Sequence, residues 1–198
     1  MLPICKFTLL NSVGCLVCYY KAMDALVLIV SIVQSFAISL GVGSSTLAIV
    51  NFFVAIADGT IDETERRMMG IVYVVLRLAM ALILATTVLL VAPVFVEKGV
   101  GGLTSLMQGQ LVVLFVLYVN ALLMTAHLVP STFGPAIQAG SWYTLGTLLA
   151  LQGLGLTGFT LAEFTMGYIT WIVLAIAIVN GVMAVLKTKR TGNKEQVN

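Results

Sequence analysis

Residues 24–57 read DALVLIVSIVQSFAISLGVGSSTLAIVNFFVAIA, 34 positions in which Asp24 is the only charge. A single helix of that length is about 51 Å long, well beyond a hydrocarbon core of about 30 Å. Gly41 and Gly43 followed by Ser44 and Ser45 read as a helix stop and then a new N-cap. The stretch therefore divides into a segment at 24–40 and a second at 44–57. The second has only fourteen residues, about 21 Å. That is several ångströms short of the hydrocarbon thickness, so its starting turn is expected to lie sunk below the outer membrane surface. Non-helical backbone at such depth has to be buried in protein or line a water-filled cavity.

Composition sets the same environment for the whole chain. Of 198 residues, 60% are hydrophobic and 9% charged, and the mean hydropathy is +1.10. A soluble domain carries about 25% charge to keep its surface hydrated, so a soluble enzyme and a disordered chain are excluded. The net charge of +2 excludes a nucleic-acid binder that relies on a basic face. The chain reads as an integral membrane protein, with the lipid bilayer as its first partner.

Outward from the deciding stretch, a polar run at 58–67 is followed by apolar residues 68–92, stopped by Pro93. A Gly-rich connection at 94–107 leads to a span at 108–127. Pro130, Gly134 and Pro135 break 128–140, an unusually apolar loop in which Gln138 is expected to face the interior. Apolar segments at 141–156 and 164–186 complete the set. Trp142, Tyr143, Tyr168 and Trp171 fall near the expected helix ends, where interfacial aromatic anchors sit. With six crossings, Lys6, Lys21, Arg66, Arg67, Lys187, Lys189, Arg190 and Lys194 share one side against Lys98, which the positive-inside rule favours. The expected fold is an all-α integral membrane protein: a six-helix bundle with one short or re-entrant second helix and both termini cytoplasmic. Residues 1–22 read as a signal-like segment or upstream extension, 23–187 as one transmembrane domain and 188–198 as a polar tail.

Arg77 is the sharpest functional signal. It lies ten residues past Arg67, about 15 Å along a helix, and arginine at such depth marks a functional or paired charge. No acid stands at matching depth. Candidate neighbours are Ser44, Ser45, Thr46, Asn51, Tyr73 and Asn120, with Asn180 a further amide. A helix starting at Ser44 would point unpaired N–H groups at the same region, making a pocket suited to a small anion.

Other motifs carry less. Asp58, Gly59, Thr60, Ile61, Asp62 and Glu65 resemble the second half of an EF-hand loop, but Val54 and Ile56 occupy upstream ligand positions and cannot hold a hard cation. The same residues suit a helix stop, a cap and a first acidic turn. Cys15 and Cys18 have metal spacing without a second pair, and all three cysteines lie in the first eighteen residues. With one histidine, His127, neither a haem nor another cofactor is expected. Catalysis has no Gly-x-Ser-x-Gly or His-Glu-x-x-His to rest on. The functional expectation is a small permease or channel-like transporter of an anionic solute. The alternative is a non-transporting membrane subunit, an assembly factor or lipid-contacting partner in a homo-oligomer or larger complex.

Overall fold

The computed structural model describes residues 12–58, 62–129, 133–156 and 158–197. Cys5, Lys6, the Gly59, Thr60 and Ile61 part of the EF-hand-like stretch, and Pro130, Ser131 and Thr132 lie outside the described residues. Among the described residues five α-helices follow one another: α1 (Ser12–Asp58), α2 (Glu63–Lys98), α3 (Ser105–Thr125), α4 (Phe133–Gly153) and α5 (Leu161–Val197). A 3₁₀ turn, Val100–Gly102, joins α2 to α3. Four of the helices are long and apolar enough to cross a membrane, over Asp24–Ala55, Glu63–Lys98, Ser105–Thr125 and Leu161–Leu186. The protein is built as an integral membrane protein.

The expected count of six is corrected to five, because the chain does not break at 41–45. In lipid a broken turn would strand N–H and C=O groups with nothing to bond, so helix continuity overrides the breaking tendency of Gly and Ser. The hydroxyls bond back onto the same helix instead. Ser44 donates to the Leu40 and Gly41 carbonyls, Ser45 to Val42 O at 3.0 Å and Thr46 to Val42 O at 2.7 Å. Gly41 serves close packing: a Cβ built there would overlap the six-membered ring of Trp142 on α4. Gly43 has no neighbour within 4 Å.

Two other boundaries move for related reasons. Pro93 sits inside α2, which runs on to Lys98, and membrane helices tolerate proline where local adjustment satisfies the freed carbonyl. The helix ends at Gly99 (φ 64°), whose N–H reaches Phe95 O at 2.9 Å. α4 begins at Phe133, so much of the expected apolar loop is helical, Pro135 falling in its first turn, where its missing N–H costs nothing. α3 closes with Leu128 N–H on Leu123 O (3.0 Å) and His127 N–H on Met124 O (3.1 Å). That pattern is a Schellman ending, and His127 occupies its left-handed position with φ 56°.

Consecutive helices run antiparallel. Gln34 meets Thr87, Gln110 meets Thr87, Asn120 meets Gln138, and Ser141 meets Tyr168. With an odd number of helices, Asp24 and Leu186 lie at opposite ends of the bundle. α4 sits innermost, against α1, α3 and α5. Its buried residues include Gly134, Gln138, Gly140, Ser141 and Trp142. Trp142 and Tyr168, expected as interfacial anchors, are buried core residues, and Trp171 donates its indole N–H to Gly140 O at 3.0 Å. The outer surface is lipid-like: Leu28, Phe36, Val74, Leu89, Phe115 and Val173 are all well exposed, as a bilayer-facing surface requires.

In a continuous α1, Gly43→Ala is expected to stabilise the protein by about 0.5–1 kcal/mol, whereas Gly41→Ala overpacks Trp142 and costs about 1–3 kcal/mol. His127→Gly, relieving a left-handed non-glycine residue, is expected to add about 1–2 kcal/mol. Thermal unfolding in detergent measures all three.

Candidate functional site

The antiparallel register decides what shares a layer with Arg77. Thr87 accepts from Gln110 Nε2 at 2.9 Å, and the Tyr118 hydroxyl donates to Met80 O at 2.6 Å. Counting ten residues back along α2 from Thr87, and ten forward along α3 from Gln110, sets Arg77 level with Asn120. Asn120 is five residues, about 8 Å, inside the C-terminal end of α3. Since α3 is 21 residues long, about 31 Å, Arg77 stands roughly a quarter of the way through the bilayer-length bundle rather than at its middle. The Gln34–Thr87 pair places Ser44 on the same layer.

Arg77 and Tyr73, both exposed on α2, stand at the mouth of an open cavity of about 330 Å³ between α1, α2, α3 and α4. Ser45, Tyr73, Thr125 and Gln138 contribute polar atoms to it. Ala48, Ile49, Phe52, Val72 and Leu76 form its apolar walls with Met69, Met80 and Met124, whose flexible thioethers adapt to different shapes. Among the described lining residues Arg77 alone is charged. Of the described carboxylates, Asp62, Glu63, Glu65, Glu97 and Glu163 belong to helix ends, and Asp24 lies on α1 toward the end of the bundle opposite Asp62. Asp62 caps α2 and its N–H donates to the Glu65 carboxylate at 3.2 Å.

Hydrogen bonding leaves this cavity rich in donors. Asn120 is buried and donates Nδ2 to Gly134 O (3.0 Å) and to Gln138 Oε1 (3.1 Å). Gln138 is thereby oriented with its oxygen occupied and its N–H₂ left for the cavity, apart from a long contact to Met80 Sδ at 3.6 Å. The Ser45 and Thr125 hydroxyls give their protons to Val42 O and Ala121 O. The free donors are the guanidinium, the Gln138 amide and the Tyr73 hydroxyl, a set that matches a carboxylate or another small oxyanion.

Of the residues singled out in the sequence, Ser45, Tyr73 and Arg77 come together on this cavity, and Asn120 stands behind Gln138. Ser44 is buried against its own helix. Thr46 shares a hydrogen bond of 2.7 Å with the Tyr143 hydroxyl and ties α1 to α4. Asn51 is half-buried, and its Nδ2 has no partner. The helix N-terminus expected at Ser44 does not exist, so the positive field near Arg77 comes from the side chain alone. Thr125 and the methionine walls carried no signal in the sequence, since the tertiary placement of α3 beside α2, held by the Tyr118 and Gln110 hydrogen bonds, selects them. Among the described residues no group of three His, Cys, Asp or Glu could hold a metal ion.

Comparison with protein-family models, with curated proteins and with solved structures gives no match for this chain.

Removing the amide that orients Gln138 tests this geometry. Asn120→Ala is expected to lower stability by about 0.6–2 kcal/mol, the range for hydrogen bonds between membrane helices, read as a fall in unfolding temperature.

Proposed function

We propose that this protein is a small permease or channel-like transporter of an anionic solute, with Arg77 as its binding charge. The observation that carries this reading is an exposed cationic side chain at the mouth of a roomy open cavity, a quarter of the way along an apolar bundle, with no acid among the lining residues. A purely structural arginine would be expected to spend its donors on carbonyls or a carboxylate. Here Gln138 and Tyr73 line the same space with further donors, and the methionines provide an adaptable wall for the solute's apolar part. Ser45 lines the cavity from α1, while Ser44, Thr46 and Asn120 bond within or between the surrounding helices and the Asn51 amide stays unpartnered on α1.

Charge supports an orientation for the path. Arg66, Arg67, Lys187, Lys189, Arg190 and Lys194 belong to one end of the bundle, and Lys21 and Lys98 to the other. By the positive-inside rule the first end is cytoplasmic, so the Arg77 cavity lies toward the cytoplasm. Five antiparallel helices then carry the chain's amino end to the opposite side, in place of the shared side expected from six crossings.

A second reading, a non-transporting subunit, draws on α5. Gly167, Thr170, Ala177, Gly181 and Ala184 are exposed at helical spacing, and such small residues let a partner helix or a second copy approach closely.

In vesicles reconstituted with purified protein, Arg77→Gln is expected to abolish uptake of benzoate while leaving the protein monodisperse, and Arg77→Lys to retain part of it. Undiminished benzoate uptake by Arg77→Gln would reject the site. Wild-type vesicles no more permeable than protein-free ones, together with a stoichiometric membrane partner on purification, would favour the subunit reading.

A further inference from the structure

The bundle holds a second cavity, of about 240 Å³, lined by the same four helices. The order of lining residues along each helix separates the two. On α1 the second cavity uses Gln34 and Ile38, and the Arg77 cavity starts at Ser45; on α2 they are bounded by Leu90 and Met80. On α3 the bounding residues are Gln110 and Ala121, and on α4 Leu145 and Gln138. Antiparallel packing makes these four gaps one layer. The two cavities therefore sit in opposite halves of the bundle, on one axis between α1, α2, α3 and α4.

That intervening layer is sealed. Ile83, Val113, Leu117 and Trp142, from three of the four helices, are each wholly inaccessible. The fourth helix, α1, contributes Gly41, whose missing side chain is what lets the Trp142 ring lie against the backbone. The indole N–H of Trp142 is buried without a hydrogen-bond partner. An unpartnered buried donor is destabilising, so a ring movement that lets this N–H reach water in a cavity relieves a cost inherent in the sealed state.

We infer that the two cavities are the end chambers of one path through the bundle, closed at its middle by Trp142 seated on Gly41. This rests on the transport reading above and adds its route, its gate and its second site. The second chamber is neutral and rich in amides. Gln34 and Gln110 both donate to buried Thr87 at 3.2 and 2.9 Å, which fixes each amide and leaves its oxygen and second N–H for the cavity. Gln152 and Thr104 add to the lining. Such a site hydrogen-bonds the same small oxyanion without compensating its charge, and holds it more weakly than the Arg77 chamber does.

Two measurements test this, with the three native cysteines replaced by alanine. Ser45→Cys and Gln110→Cys, in sealed vesicles of uniform protein orientation, are expected to react with a membrane-impermeant thiol reagent from opposite sides only. Modification of both from one side, or of neither from either side, would overturn the proposal. Trp142→Ala is expected to make vesicles leak urea as well as benzoate, while Trp142→Phe keeps the seal. A monodisperse Trp142→Ala protein that leaks neither would also overturn it. The double variant Trp142→Ala with Arg77→Gln separates the two ideas: a urea leak that persists when benzoate selectivity is gone supports the gate whatever becomes of the anion site.

Discussion

Lipid supplies no hydrogen bonds, and this constraint shapes nearly every feature of the chain. Each peptide group inside the bilayer has to be satisfied by its own helix, so the helices run through sequences that would end them in water. α1 passes Gly41, Gly43, Ser44 and Ser45 unbroken. Its hydroxyls follow the same rule: Ser31, Ser35 and Ser39 each donate to the carbonyl four residues earlier. Helix ends are closed by compact main-chain bonding, as at His127 and at Gly155, where Leu156 N–H reaches Leu151 O at 3.0 Å.

The same solvent sorts the helices by polarity. α4 carries Gln138, Ser141 and Trp142, which lipid would penalise, and it occupies the interior. Its small residues permit that position: a Cβ on Gly134 would meet Met124, and one on Gly140 would meet Ile172. Around it buried polar side chains pair in short sets, Asn120 with Gln138 and Gly134, and Ser141 with Tyr168 at 2.8 Å, while Asn120 Oδ1 and Trp142 Nε1 have no partner. Cavities remain where α2 stands away from α3 and α4, joined to α3 by the hydrogen bonds from Tyr118 and Gln110. Arg77, exposed on α2, borders one of them.

Much of this is legible in the residues themselves, and the rest fails for identifiable reasons. Composition alone sets the membrane class, and the isolation of Arg77 from acids follows from counting charges along the chain. Helix number does not, because stop signals calibrated on water-exposed ends misread Gly41, Ser44 and Pro93. Tryptophan and tyrosine positions misled in the same way: Trp142 looks interfacial only if α4 begins at Ser141, eight residues after its actual start at Phe133, and Tyr168, in the first turns of α5, turns inward to Ser141. The depth of Arg77 depends on the register between α2 and α3, fixed by Thr87 with Gln110 and Met80 with Tyr118, which no local pattern encodes.

The central claim is that Arg77 is a charge held ready for an anion. Thermal unfolding of the detergent-solubilised protein across a benzoate titration, at constant ionic strength, tests it most directly. A saturable rise in unfolding temperature for the wild type, absent in Arg77→Gln, is the result the account predicts. An identical response of both proteins, or none in either, would contradict it.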